Sequence, residues 1–179
     1  GVQTCALPIS PKGHPAGLDY LKSLGVTHIQ ILPIFDFEGV DELNPFDAYN
    51  WGYNSSQYNV PEGALSKDPT DPLKRINELK EMIDLLHKEG FRVIMDVVYN
   101  HVYETETFPF EQIIPGYAFR VDERGILTNA SGCGNDLATE RQMIRKFIID
   151  SVKYWIDTYQ IDGFRFDLMG LMDVTTMNR

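Results

Sequence analysis

Apolar positions recur along this chain with two different periods. At residues 17–24 (GLDYLKSL), Leu18, Leu21 and Leu24 fall on one face at helical spacing, and Gly25 follows as a cap. The run 27–34 (THIQILPI) then predicts a strand. A second helix is expected from Asp71, an N-cap residue directly before Pro72 at the first helical position. Its apolar face is Leu73, Ile76, Leu79, Ile83 and Leu86, and Gly90 stops it. Residues 91–99 (FRVIMDVVY) are almost continuously apolar, the pattern of a parallel strand covered on both faces. A third helix is expected to open at Thr139, with Gln142 completing a capping box. Ile144, Phe147, Ile148, Val152, Trp155, Ile156 and Tyr159 form its buried stripe. The last run, 161–170 (IDGFRFDLMG), predicts a short buried strand, apolar at Phe164, Phe166 and Leu168.

Helix and strand alternate throughout, which argues for an α/β fold of parallel βαβ units. Links from helix to strand are short. Links from strand to helix, residues 35–70 and 102–138, are far longer than usual. Parallel α/β sheets carry their sites at the C-terminal ends of strands, so the polar, Gly- and Tyr-bearing stretches 36–59 and 104–136 are expected over a cleft.

Three clusters there carry candidate chemistry. In the last strand, Arg165 and Asp167 are two residues apart and share one face. Charges in a buried strand demand pairing. A carboxylate held anionic by a guanidinium suits a nucleophile; the alternative is a structural ion pair closing a strand end. Asp96, Asn100 and His101 end the second predicted strand (DVVYNH). They suit a site that fixes substrate hydroxyls; alternatively, Asp96 pairs with Arg165 and the other two shape the turn. Tyr49, Asn50, Trp51, Gly52, Tyr53 and Asn54 lie in the first long link, where aromatics beside amides can stack on a sugar or fold back on the core. Asp and Asn are hard oxygen ligands suited to calcium, but no spacing here is diagnostic of a metal.

Composition narrows the setting. The chain has 179 residues, 43% hydrophobic and 23% charged, enough for one core. A formal net charge of −10 argues against nucleic acid as a partner, and no apolar run is long enough to span a membrane. Residues 1–10 (GVQTCALPIS) resemble a translated sequencing adapter and are set aside as non-native, which leaves Cys133 as the native cysteine beside Cys5. Without an initiating Met, the chain is expected to be an internal piece of a longer protein.

DVVYNH and GFRFDLMG closely resemble the first and second signature regions of the α-amylase superfamily of glycoside hydrolases, and their spacing also matches. YNWGY, followed by Tyr58 to Gly63 (YNVPEG), is similar to the hallmark of type I pullulanases, which cut α-1,6 branches. The resemblance covers residues 11–179. It implies strands two to four of a (β/α)8 TIM barrel, within a catalytic domain that spans 11–179 and continues beyond. It implies Asp167 as the nucleophile of a retaining mechanism, oriented by Arg165. His101 would hydrogen-bond the glucose ring, Asp96 would buttress the site, and Tyr53 would stack on that ring. Trp51 and Asn50 belong to the loop that sets specificity. Asn100 matches a position that binds calcium in many α-amylases, although no cofactor is required by the resemblance. The partner implied is an α-glucan: pullulan, amylopectin or limit dextrins.

Two departures bear on this. The usual hallmark continues Asp-Pro where this chain has Asn54-Ser55. The general-acid Glu and the further Asp of the family are absent from the chain, so the chain alone is expected to be inactive. The alternatives are an α-1,4-acting amylase or neopullulanase, against which YNWGY argues, and a non-catalytic glucan-binding relative, against which the joint presence of Arg165 and Asp167 argues.

Overall fold

The computed structural model describes residues 13–179; the segment 1–10 and its Cys5 lie outside the described residues. Three parallel strands form the central sheet: β1 (His28–Ile31), β4 (Arg92–Val97) and β5 (Gly163–Phe166), in the order β1-β4-β5. Helix α1 (Gly17–Ser23) precedes β1, α2 (Pro72–Lys88) joins β1 to β4, and α4 (Gln142–Tyr159) joins β4 to β5. This is the expected α/β alternation. The register pairs Ile29 with Val93, and Asp96 with Arg165.

Local chemistry explains the boundaries. Asp71 caps α2 by accepting from the amides of Leu73 and Lys74, while Pro72 occupies the first turn. Gly90 ends the helix at φ +88°, where a Cβ would be strained. The strand expected over 27–34 stops at Ile31, because Pro33 cannot donate to a ladder. The chain then forms a second, antiparallel sheet from β2 (Phe35–Phe37) and β3 (Ser55–Pro61). The stretch 36–59, expected as loop, is thus partly sheet, and it is anchored by the buried carboxylate of Glu62, which accepts from Phe37 N at 3.0 Å and Ala64 N at 2.7 Å. Two short helices complete the chain, α3 (Pro109–Ile113) and α5 (Val174–Met177).

The expected capping box at Thr139 does not form. α4 begins at Gln142, because Thr139 is buried and its hydroxyl accepts from Asp173 N at 2.8 Å and Arg120 Nη2 at 3.1 Å. The last strand is also shorter and wetter than 161–170 predicts. β5 lies at the sheet edge with Phe164 and Phe166 half-buried, and Leu168 turns the chain out of it at φ +46°. Leu73 and Ile156, expected on buried faces, are exposed.

The core lies between the central sheet and its helices. Val93, Met95 and Val97 of β4 are fully buried, packed with Leu79, Ile83 and Leu86 of α2 and Ile144, Ile148 and Trp155 of α4. The rings of Phe35, Tyr58, Tyr99 and Trp155 tie the β2–β3 sheet to this core, with Tyr58 stacked on Tyr99 at 5.3 Å. Trp155 is fully buried and its Nε1 donates to the Tyr58 carbonyl at 3.0 Å. Truncating such a ring costs about 3–5 kcal/mol, so the β2–β3 sheet is fixed relative to the central strands.

Candidate active site

The last residues of β4 and β5 converge on one face of the sheet. Register places Asp96 opposite Arg165, and the pleat returns Asp167 to the same face two residues later. Arg165 Nη1 lies 2.9 Å and 3.0 Å from the two carboxylate oxygens of Asp96 and 2.8 Å from Oδ1 of Asp167. The Asp96 side chain is 1% exposed, that of Asp167 17% and that of Arg165 43%. Asp96 is therefore the buried anchor, and Asp167 is the carboxylate that faces outward. The hydrogen bond to Asp96 leads the influences that raise an already high guanidinium pKa, so Arg165 is a fixed cation.

Tyr53 comes to this cluster from the segment before β3. Its hydroxyl donates to Asp96 Oδ2 at 2.7 Å. Burial, followed by that hydrogen bond and the Asp96 charge, pushes its pKa up to about 12, so it stays a donor at neutral pH. Gly52 sets the approach: at φ +86° its Cβ position is 2.8 Å from the Pro33 carbonyl oxygen and 3.1 Å from the Phe37 ring. A side chain there would strain the backbone and push this segment off its support.

His101 and Asn100 follow β4 and are both buried. Asn100 Oδ1 accepts from His101 Nδ1 at 2.6 Å, and Asn100 Nδ2 donates to the Asp167 carbonyl at 2.9 Å, with Asp167 Oδ2 at 3.5 Å. His101 Nε2 lies 3.0 Å from the Tyr53 carbonyl oxygen. Burial is the largest influence on the ring and holds its pKa below the ordinary imidazole value, with the Tyr53 carbonyl and Asp167 acting in the opposite direction.

The remaining expected residues stand farther from this cluster's bonds. Trp51 is exposed, with its ring available on the surface of the loop. Asn50 spends its amide on its own loop, donating to the Glu38 carbonyl at 2.9 Å and accepting from Gly52 N at 2.9 Å. Asn54, in place of the family's Asp, reaches the same Glu38 carbonyl at 3.3 Å. Ser55, in place of Pro, is fully buried with no hydrogen-bond partner for its hydroxyl. The structure thus brings together Asp96, Arg165, Asp167, Tyr53, His101 and Asn100, and leaves Trp51 and Asn50 on the adjoining loop.

The family profile for the α-amylase catalytic domain matches residues 12–115. The pullulanase of Bacillus subtilis (strain 168) is 56% identical over 165 residues, covering 92% of this chain. A crystal structure of pullulanase from Anoxybacillus sp. LM18-11, complexed with maltotetraose, superposes with a TM-score of 0.93 at 58% identity over 95% of this chain. The chain belongs to the α-amylase catalytic-domain family, and it is similar to pullulanases of that superfamily. It spans about a quarter of each of these two relatives, 23% of the B. subtilis sequence and 25% of the Anoxybacillus chain. Pullulanase A of Streptococcus pneumoniae serotype 4 is more distant, 42% identical over 89% of this chain and 13% of that protein.

Both polar atoms of the Asn100 side chain, the position suggested for calcium, are already engaged. Its side-chain oxygen already takes the His101 N–H at 2.6 Å, and its amide nitrogen faces Asp167. A calcium ion bound at the usual 2.3–2.6 Å would have to share that oxygen with the histidine, through its second lone pair. The sequence motifs located the site's charged groups, whereas the contact from Asn100 to Asp167 and the use of the Tyr53 hydroxyl emerge from the fold. The adjacency of Asn100 and His101 at a strand end was the available signal for the former. Nothing in the sequence pattern marked the latter.

Proposed function

We propose that this chain is part of the catalytic domain of a retaining glycoside hydrolase that cleaves α-1,6-glucosidic branch linkages in pullulan, amylopectin or limit dextrins. In this reading β1, β4 and β5 correspond to strands two to four of a (β/α)8 barrel, within a domain that takes in residues 11–179. The observation that carries the proposal is the single Arg165 nitrogen shared between buried Asp96 and outward-facing Asp167 at the strand ends. Asp167 attacks the anomeric carbon as the glycosidic C–O bond breaks, giving a β-glucosyl ester that water then hydrolyses. Arg165 orients it. Asp96, locked by Arg165 and Tyr53, is the buttress and not the acid. Retaining glycosidases need a second carboxyl about 5 Å from the nucleophile, across the scissile bond, and this reading takes it from outside the chain.

Tyr53 stacks on the glucose ring at the cleavage subsite, and His101 hydrogen-bonds it. In the neutral ring Nε2 is an acceptor facing the Tyr53 carbonyl, and a sugar hydroxyl improves on that pairing. Trp51 and Asn50 shape the loop that selects the branch. The maltotetraose held by the Anoxybacillus pullulanase supports an α-glucan ligand. The test is product analysis with the full-length protein that carries this chain: maltotriose from pullulan, with linear amylose almost untouched. Panose or isopanose as the main product would move it to the neopullulanase class.

A further inference from the structure

We propose that Asn100 is a positioning residue that aims the nucleophile Asp167, and not a cation ligand. The inference rests on the hydrolase reading above. The peptide of Asp167 is held on both sides. Its N–H continues the sheet ladder to the Val97 carbonyl at 2.9 Å, and its C=O accepts from Asn100 Nδ2 at 2.9 Å. Immediately afterwards Leu168 sits in the left-handed region at φ +46°, ψ +39°. That conformation costs a bulky L-residue about 1–2 kcal/mol, so neighbouring bonds must hold it. The Asn100 amide is the side-chain group that meets the Asp167 carbonyl at this turn.

The amide has one workable orientation. Turned over, its oxygen would face two acceptors, the Asp167 carbonyl and the Asp167 carboxylate. In the observed orientation the amide nitrogen meets both acceptors, and the oxygen accepts from Nδ1 of the matching His101 tautomer. Asn100 is also 2% exposed, and its own carbonyl accepts from Leu137 N at 2.9 Å, which pins the backbone that carries it. Asn100 thus joins His101 and Asp167 into one unit, in which a shift of one moves the other.

The two roles predict opposite outcomes for Asn100→Asp. The variant keeps a hard oxygen ligand and adds charge, so a calcium site would be preserved or tightened. For positioning, it replaces the only donor to the Asp167 carbonyl on this side chain with an acceptor. In the full-length protein, Asn100→Asp is expected to lower kcat on pullulan by about 10²-fold, with KM within about threefold and no recovery in millimolar calcium. Asn100→Ser, smaller and uncharged, carries the same test should the aspartate variant fail to fold, with the same loss in kcat and unchanged KM. Wild-type kcat in either variant, or recovery of Asn100→Asp by calcium, overturns the inference. A wild-type protein that does not cleave pullulan instead defeats the hydrolase reading on which it rests.

Discussion

Asp96 and Arg165 stand opposite each other across the β4–β5 ladder, and one guanidinium nitrogen reaches both oxygens of the carboxylate at 2.9 Å and 3.0 Å. The pair is lopsided: the anion is 1% exposed and the cation 43%. Burial therefore falls on the group that depends most on its partner.

Removing the cation should cost more than neutralising the anion. Arg165→Met leaves the Asp96 carboxylate buried with the Tyr53 hydroxyl as its remaining side-chain partner, and stranding a buried charge costs about 3–5 kcal/mol. Asp96→Asn leaves Arg165 with Asp167 and with solvent, and should cost less than half as much. Urea denaturation of the two variants checks the ranking, and equal midpoints would mean that the buried Asp96 does not depend on Arg165 for stability.

Asp167→Asn should lower turnover of the full-length protein by on the order of 10³-fold or more, because the covalent route is lost. Affinity for maltotetraose, measured by calorimetry, should stay within a few-fold. Near-normal turnover in a folded variant would take Asp167 out of the nucleophile role.

The family resemblance implies a stacking role for the Tyr53 ring, in which the hydroxyl is not needed. The 2.7 Å hydrogen bond to Asp96 changes that expectation. Tyr53→Phe should destabilise by about 1.5 kcal/mol, the lower end for hydrogen bonds to charged groups. Tyr53→Ala should lose further kcat/KM on pullulan through lost stacking. A phenylalanine variant matching wild type in both urea midpoint and kcat/KM would show the hydroxyl to be idle.

Expressed alone, residues 1–179 should be inert on pullulan and should self-associate. Among the described residues β1 and β5 flank the three-stranded sheet with no strand on their outer edges, and Leu24, Val26, Leu32, Leu168 and Met169 are exposed nearby. Sedimentation and a debranching assay test this together. A monomer with cooperative melting and measurable activity would refute it.

Much of the architecture was legible in the sequence because local forces set it. Asp71 and Pro72 start α2, Gly90 ends it, and the apolar run of β4 and all of the α4 stripe but Ile156 pack as their periods require. Arg165 and Asp167 were legible as a pair because the two-residue repeat of a strand puts them on one face wherever that strand lies. Other features depend on partners distant in sequence. The β2–β3 sheet forms because Glu62 and the Phe35–Tyr58–Trp155 rings supply a buried anchor from three separate segments. Thr139 fails as a helix cap because Asp173 and Arg120 compete for its hydroxyl. The surroundings of Asp167 belong to this second class. Which carboxylate is buried, which hydroxyl reaches it and which amide holds the strand end were decided by register and packing, since hydrogen bonds between residues tens of positions apart leave no period in the chain.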